Sequence, residues 1–300
     1  MEGNPNMHKT KILCITVSIL LIGSIGLNLC QFFCKEEFQP LDWLQTEEFV
    51  DQTIRGVLVN SEAFREGDDL SIAYDLENAA YDRLLEQYHL AETAGDGSEF
   101  SKAKNLMQAY SGRIRHSSSV AVSDANMNAE YLLEHYLDSK EGTYCRAKAQ
   151  ILNEMCLSLG ICSRKLWIIP LSIYDKECHV VNEVWDSAYN KWIMLDISNN
   201  LYWVDENAEP LSMLEVRDRM IHDRFCTPVS KDDDLKDLEK ARKDHEFYYA
   251  YYAKNLAVLK YMDMYTVGET QGCYLLPVNY ALKSDVKLIS REAVERKPFA

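Results

Sequence analysis

The chain has 300 residues, 47% of them hydrophobic and 26% charged, which is enough to bury the core of one large domain or two small ones. Its formal net charge is −15, and no cluster of lysine and arginine interrupts this acidic background. Because an acidic surface repels a phosphate backbone, the composition argues against a nucleic-acid partner.

An uncharged apolar segment, residues 12–33, follows a short basic N-terminus that contains His8, Lys9 and Lys11. A helix rising about 1.5 Å per residue crosses a hydrocarbon core of about 30 Å over such a length. The basic flank predicts that residues 1–11 are cytoplasmic and that the body of the chain is exported. A cleavable signal peptide is the alternative, but the segment is long and no A-x-A-like site follows it. We therefore predict an uncleaved single-pass anchor in the cell membrane with an extracytoplasmic domain.

Residues 36–100 are predicted to form a helical N-terminal region. Apolar residues recur at three- and four-residue steps in "LDWLQTEEFVDQTIRGVL" and "SIAYDLENAAYDRLLEQYHL". The glycine-containing stretch "ETAGDGSE" predicts a loop after them. Helical patterns resume over "FSKAKNLMQAYSGRI" and "NAEYLLEHYL".

Residues 101–230 are predicted to form a mixed core, because helical and strand patterns alternate there. One helical stripe runs from Cys145 to Leu159, and Gly160 is suited to end that helix. Strands are predicted over "KLWIIPLSIY", "CHVVNEVW" and "KWIMLDI", the last two joined by a hairpin at "DSAYN". Ser212 and Glu215 predict a capping box at the start of the helix "MLEVRDRMI".

Residues 231–300 are predicted to form a helix followed by closing strands. The charge run "KDDDLKDLEKARKDHE" is typical of a solvated helix face, and "FYYAYYAKNLAVLKYM" is predicted to extend that helix. The segments "CYLLPVNYAL" and "DVKLIS" predict the closing strands.

Three residues of the predicted core could form one site. Cys145 opens a helix, His179 lies near the start of one hairpin strand, and Asp196 lies near the end of its partner. A hairpin centred near Ser187 and Ala188 would set Asp196 opposite His179, with side chains about 5 Å apart. The carboxylate could then bond one imidazole nitrogen and leave the other facing the thiol.

This combination suits nucleophilic catalysis. A free cysteine has a pKa of about 8.5, and the positive end of a helix together with an imidazolium stabilises its thiolate. The thiolate of Cys145 would attack an acyl carbon, and its backbone N–H is a plausible oxyanion donor. His179 would protonate the leaving amine and then deprotonate the acceptor, while Asp196 orients the imidazole.

Each of these residues also has a purely structural explanation. A cysteine is among the most buried residue types, a strand histidine is often a hydrogen-bonded structural group, and an aspartate at a strand end commonly makes a turn. Cys178, next to His179, is predicted to point to the other face of the sheet into the core. Gly142 is predicted to give the chain freedom to turn before Cys145. The joint placement of the three favours a site.

The same stretch resembles a known family. Its pattern is Gly-x-x-Cys opening a helix, a Leu-Gly-Ile-x-x-Arg exit, a histidine beginning a strand, and a tryptophan shortly before an aspartate. The matching residues are Gly142, Cys145, Leu159, Gly160, Ile161, Arg164, His179, Trp192 and Asp196. Over residues 105–220 the sequence resembles the transglutaminase-like superfamily of papain-like cysteine enzymes, in a bacterial membrane-anchored form. The resemblance implies a Cys145–His179–Asp196 triad and an α+β fold with the catalytic helix packed on an antiparallel sheet.

The expected function is that of a membrane-anchored cysteine enzyme acting on peptide or protein amides, with envelope or cell-wall molecules as accessible substrates. Transfer of the acyl group to water would make it a protease or amidase, and transfer to an amine a transglutaminase. Asn182 and Trp192 are predicted to bind substrate. No cofactor or metal is expected, because the sequence has no C-x-x-C and no calcium-loop spacing. Two alternatives stay open: a non-catalytic scaffold with this fold, and an adaptor acting through its N-terminal helices.

Overall fold

A computed structural model describes residues 55–118, 121–282 and 285–299, all within one compact unit, Thr53–Ala300. The predicted N-terminus at residues 1–11 and the predicted anchor at residues 12–33 lie outside these ranges. Within them, no helix is both long and apolar enough to cross a membrane. The domain boundaries predicted at residues 100 and 230 stay predictions.

Helices and short strands alternate along the described chain. Residues 55–59 are helical and Asp124–Asn126 forms a 3-10 turn. The α-helices are α1 (Ala79–Gln87), α2 (Leu90–Ala94), α3 (Glu99–Ser111), α4 (Ala129–Tyr136), α5 (Cys145–Ser158), α6 (Met213–Ile221), α7 (Leu238–Asp244), α8 (Glu246–Asn255) and α9 (Arg291–Glu295). The strands are β1 (Ala73–Tyr74), β2 (Ser163–Ile169), β3 (His179–Asp186), β4 (Lys191–Leu195), β5 (Tyr202–Val204), β6 (Thr227–Val229), β7 (Val258–Met262), β8 (Met264–Tyr265) and β9 (Gly272–Leu275).

The central sheet has five strands in the order β4-β3-β2-β7-β9, and every neighbouring pair is antiparallel. The predicted hairpin joins β3 to β4, with Trp185 paired to Trp192. The Asp186 carboxylate accepts the backbone N–H groups of Ala188 and Tyr189, which closes the turn. The α+β class and the antiparallel sheet predicted from sequence are confirmed.

Helix α5 is the buried centre of the fold. It ends as predicted: Gly160 has a φ of +73°, and the N–H of Ile161 donates to the carbonyl of Cys156. On one side, Ile151 and Met155 of this helix belong to the apolar cluster formed with α3 and α4. On the other, it packs on β2 and β3, so the prediction of a helix on an antiparallel sheet is confirmed.

Both faces of the sheet are covered, which explains why all eight residues of β3 are buried. Val180 and Val184 pack with residues of α5, whereas Val181 lies in the cluster formed with α6 and α8. The helix α6 begins at the predicted capping box, in which Ser212 and Glu215 each accept the other's backbone N–H.

The N-terminal region is less helical than predicted. Within "SIAYDLENAAYDRLLEQYHL", the strand β1 comes first, and α1 begins only at Ala79. Asn78 caps that helix by accepting the N–H of Ala80, and it also donates to Asp75. Short polar side chains thus bond the local backbone and hold residues 75–78 outside the helix.

The C-terminal prediction also needs correction. Helix α7 starts at Leu238, capped by Asp237, so the front of the charge run is not helical. The following helix, α8, stops at Asn255, and "VLKYM" forms the strand β7 between β2 and β9. The closing strands are shorter than predicted: β9 ends at Leu275, two residues before Pro277, and "DVKLIS" makes only isolated bridges. The aromatic-rich stretch "FYYAYYAKNLAVLKYM" suits both a helix and a strand, and pairing with the sheet selects the strand at its end.

Candidate active site

His179 and Asp196 are hydrogen-bonded, with 2.8 Å between Nε2 of the ring and Oδ2 of the carboxylate. They are not directly opposite each other as predicted. Asn182 pairs with Leu195, so Asp196 lies diagonally from His179, two positions further along, just beyond the end of β4. The centre of the hairpin lies one residue later than predicted. The side chains of His179 and Asp196 are still close enough to form a hydrogen bond across the diagonal.

The carboxylate of Asp196 is fully buried and accepts five hydrogen bonds. Oδ2 accepts from His179, from Nδ2 of Asn199 at 2.7 Å and from the hydroxyl of Tyr252 at 2.7 Å. Oδ1 accepts the backbone N–H groups of Ser198 at 2.9 Å and of Asn199 at 3.3 Å. Burial alone would raise the pKa of Asp196, but His179 and these donors lower it to about 2. Asp196 is therefore a fixed anion.

His179 is held as a cation by that anion. Burial of the ring lowers its pKa, but the charge and hydrogen bond of Asp196, together with the nearby thiol of Cys145, raise the pKa to about 10. With Nε2 donating to Asp196, Nδ1 is the ring atom left for the thiol. The order thiol, imidazole, carboxylate predicted from sequence is the order in which the structure brings the three side chains together.

Cys145 is the first residue of α5, and its side chain is partly exposed. The first backbone N–H groups of a helix have no partner within the helix, so the thiol lies at a concentration of partial positive charge. The N-cap residue Tyr144 makes no side-chain hydrogen bond that would cover this end. This geometry suits both a thiolate and an oxyanion donor.

Gly142 is needed for close packing and not for a special turn. The backbone segments around His116 and Thr143 form a parallel bridge. A Cβ atom on Gly142 would lie 2.8 Å from Cβ of Ser117 and 2.9 Å from the carbonyl oxygen of Arg115. The φ angle of Gly142 is not positive, so the prediction that this glycine allows a special turn before Cys145 is wrong. The bridge fixes where the chain enters α5.

The first turn of α5 is also held from outside. Arg146 donates to Glu269 through Nε at 2.9 Å and to Asp124 through Nη2 at 2.7 Å, and the buried Lys165 bonds the same Glu269. Burial raises the pKa of Glu269, but the bonds and charges of Arg146 and Lys165 lower it to about 2. This network anchors the residue that follows the thiol.

Several residues that lie around the site were not predicted from the sequence. Lys148 is buried one turn below Cys145, donates from Nζ to the carbonyl of Ser111 at 3.0 Å, and has a pKa lowered to about 8 because of burial. Tyr251 and Tyr252 of α8 contact the ring of His179 edge-on, with centroids 5.7 and 6.0 Å away. Their aromatic density was visible in the sequence, but no local signal links α8 to a hairpin some 60 residues earlier.

Asn182 and Trp192 are not placed to bind substrate, which corrects the role predicted for them. Asn182 is fully buried, and its Nδ2 donates to the carbonyl of Ala149 at 2.8 Å, tying β3 to α5. Trp192 is also buried; its Nε1 donates to the carbonyl of Arg296, and the guanidinium of Arg164 lies 3.8 Å from its ring centroid. Both residues therefore hold the sheet to its neighbours.

Cys178 is exposed, so its predicted position in the core is wrong. It precedes the first residue of β3, where the alternation of strand faces does not yet apply. The six cysteines from Cys145 onward are all free thiols. Among the described residues, no group of three or more His, Cys, Asp or Glu side chains is arranged to hold a metal ion.

A cysteine on a buried helix, with histidine and aspartate on an adjoining antiparallel hairpin, defines a papain-like arrangement. Residues 87–197 match the model of the Transglutaminase-like superfamily, which confirms the resemblance predicted from sequence. The matched segment contains Cys145, His179 and Asp196 and ends before α8.

Part of the chain is similar to solved structures. One of them, described as a "putative cysteine protease" from Cytophaga hutchinsonii, has 17% sequence identity and a TM-score of 0.33. The match covers 41% of this chain and 40% of the other, so the chain spans well under half the length of that structure. No curated protein matches the sequence.

Proposed function

We propose that this protein is a cysteine enzyme that forms a thioester acyl-enzyme from a peptide or protein amide, with Cys145 as nucleophile, His179 as acid and base, and Asp196 as the orienting anion. The proposal depends mainly on one observation: His179, whose pKa also responds to Cys145, is hydrogen-bonded to a carboxylate that is fully buried and accepts five hydrogen bonds. A buried anion with five donors supplies a fixed orientation and a fixed charge, which are what a catalytic imidazole needs.

The reaction would proceed in two halves. The thiolate attacks the amide carbon, the carbon–nitrogen bond breaks, and Nδ1 of His179 gives its proton to the leaving amine. Water or a second amine then loses a proton to His179 as it attacks the thioester, and the carbon–sulfur bond breaks to restore the thiolate. The backbone N–H of Cys145 would stabilise the negative oxygen in both halves.

The test is turnover of a broad library of peptide amides, followed by mass spectrometry, with the wild type and Cys145→Ala. Cys178→Ala is the matched control, because it removes an exposed thiol next to His179 without touching the proposed nucleophile. We expect loss of products in Cys145→Ala and their retention in Cys178→Ala. Equal turnover by the wild type and Cys145→Ala would rule out the proposed mechanism and favour a scaffold.

The same experiment identifies the acyl acceptor. In the absence of added amine, an acid product would identify a hydrolase. A product that carries an added primary amine, formed in preference to the acid, would identify a transferase. Because the acceptor enters after the acyl-enzyme forms, both outcomes are compatible with the same three residues.

We further propose that the enzyme is anchored in the cell membrane by residues 12–33, with its N-terminus cytoplasmic and its catalytic domain acting on envelope or cell-wall peptides outside. The basis is the uncharged length of that segment and its basic N-terminal flank. Protease added to intact cells should digest the domain but leave a cytoplasmic control protein intact. A domain that stays protected until the cells are lysed would contradict this topology.

A further inference from the structure

We propose that Phe247 and Tyr251, on the outer face of α8, bind an aromatic side chain of the peptide substrate close to the scissile amide. This inference rests on the proposed function, since it assigns a specificity to the same site. The helix α8 lies beyond the segment that matches the family model, so these residues belong to the part of the fold that the match does not cover.

The two rings form a continuous path from solvent to the base. Phe247 and Tyr251 are one helical turn apart and stack, with an interplanar angle of 15° and centroids 6.1 Å apart. Tyr251 in turn contacts the ring of His179 edge-on at 5.7 Å. An aromatic group that contacts Tyr251 and Phe247 would therefore lie one to two ring-to-ring steps from the base.

The outer ring of this path is open to solvent. Phe247 is 73% exposed, whereas Tyr251 is partly buried against the core. Tyr248 contacts the edge of Phe247 at 5.6 Å, so three aromatic residues from adjacent positions are contiguous here. A single exposed aromatic residue is common on a protein surface. A contiguous group of aromatic rings that ends at the proposed catalytic base offers both apolar surface and a stacking geometry for the ring of a substrate.

The charged side chains beside these rings pair with one another. The ammonium of Lys254, on the same helix, pairs with Asp175 at 2.9 Å and also with Glu177. Because this ammonium faces two carboxylates, it is not left to bind an acidic side chain of the substrate. The observations favour an uncharged aromatic side chain over an acidic one.

The distances fit an aromatic residue within about three positions of the scissile amide. The two ring-to-ring steps from His179 to Phe247 are 5.7 and 6.1 Å, and an extended peptide advances about 3.3 Å per residue. The two rings would thus select substrates that carry an aromatic side chain at a fixed distance from the scissile amide.

The experiment measures the labelling of Cys145 by two tripeptidyl chloromethyl ketones that differ only in having phenylalanine or alanine at the residue farthest from the ketone. The thiolate displaces chloride and a carbon–sulfur bond forms, so the rate is read by mass spectrometry without a known substrate. We expect the wild type to favour the phenylalanyl reagent, and Phe247→Ser to lower that preference about fivefold. The labelling rate with iodoacetamide, which has no ring, should not change.

The matched control is Phe299→Ser. Phe299 is 72% exposed, like Phe247, but its aromatic partner is Tyr74. This control should keep the wild-type preference. An equal rate with both reagents in the wild type, or an unchanged preference in Phe247→Ser, would overturn the inference. Those results are distinct from failure of the proposed function, which would appear as turnover that survives Cys145→Ala.

Discussion

The hydroxyl of Tyr252 donates a hydrogen bond to Oδ2 of Asp196 across 2.7 Å, and both groups are fully buried. Tyr252 belongs to α8, outside the segment that matches the family model. The same Oδ2 accepts from His179. A residue of the C-terminal part thus completes the environment of the carboxylate that is hydrogen-bonded to His179.

Removal of that hydroxyl should reduce catalysis more than it reduces substrate binding. For Tyr252→Phe we expect kcat to fall about tenfold with KM little changed, because the carboxylate loses one of the donors that fix its position. The stability should fall by about 1 kcal/mol. The kinetics should be measured along with the downfield proton NMR signal of the His179 Nε2–H, which a purely structural effect would not shift.

Tyr261→Phe is the control for this variant. Tyr261 is also fully buried, but its hydroxyl has no hydrogen-bond partner among the described residues. Its loss should leave kcat and the His179 signal unchanged. If both variants behaved alike, the hydrogen bond to Asp196 would have no role beyond packing.

Asp196→Asn should inactivate the enzyme with the fold retained. Without the anion, the largest effects that oppose burial are lost, so the pKa of His179 should fall. Less of the charged ring would then be present beside Cys145 at neutral pH. We expect kcat to fall by about a hundredfold or more, and the alkylation of Cys145 at pH 7 to slow.

The control is Asp186→Asn, at the other end of the hairpin. Asp186 is also fully buried and accepts the backbone N–H groups of Phe100 in α3 and of Ala188 at the turn, so this variant should lower stability without changing the alkylation of Cys145. Alkylation by iodoacetamide that is as fast in Asp196→Asn as in the wild type would contradict the assigned role.

The reactivity of Cys145 should depend on the charged ring of His179. Because the pKa of His179 is raised to about 10, its ring is protonated at neutral pH and can stabilise negative charge that develops on the sulfur. We expect iodoacetamide to modify Cys145 more slowly at pH 7 in His179→Ala than in the wild type. An equal rate in both proteins would show that the two groups are not coupled.

Turnover should decline at high pH for the same reason. As pH rises through about 10, His179 loses the proton that the leaving amine needs. Stability should follow the same sign: a raised pKa contributes fully below about 6.5 and is lost as pH rises through about 10. Unfolding by urea at several pH values, with His179→Ala as reference, measures this contribution.

Gly142→Ala should disturb the entrance to α5. The added Cβ would meet Ser117 and the carbonyl of Arg115 at under 3 Å, so the bridge must move. We expect a loss of about 1–3 kcal/mol in the free energy of unfolding and slower alkylation of Cys145. Gly112→Ala is the control, since a Cβ there meets nothing within 4 Å and the φ of −76° suits alanine. Equal stability of the two variants would contradict the close-packing role.

The elements that the sequence determined by itself are those with local causes. The 14 residues of α5 follow an apolar stripe and end at a glycine, α6 begins at a capping box, and β3 and β4 follow a short polar turn. Because a hairpin brings residues on its two strands to predictable positions, the proximity of His179 and Asp196 could be predicted from spacing. The place of Cys145 beside them was predicted from the chemistry that the three residues suit and from the family resemblance.

Only the tertiary structure decided the features that depend on distant segments. The strand β7 forms because β2 and β9 flank it, although its own residues also suit a helix. Gly142 is required because residues 115–117 pass against it, and Tyr252 reaches Asp196 because α8 covers the sheet face opposite α5. Local propensity and periodicity carry no information about such partners, because the contact energies that select them arise only when the chain is folded.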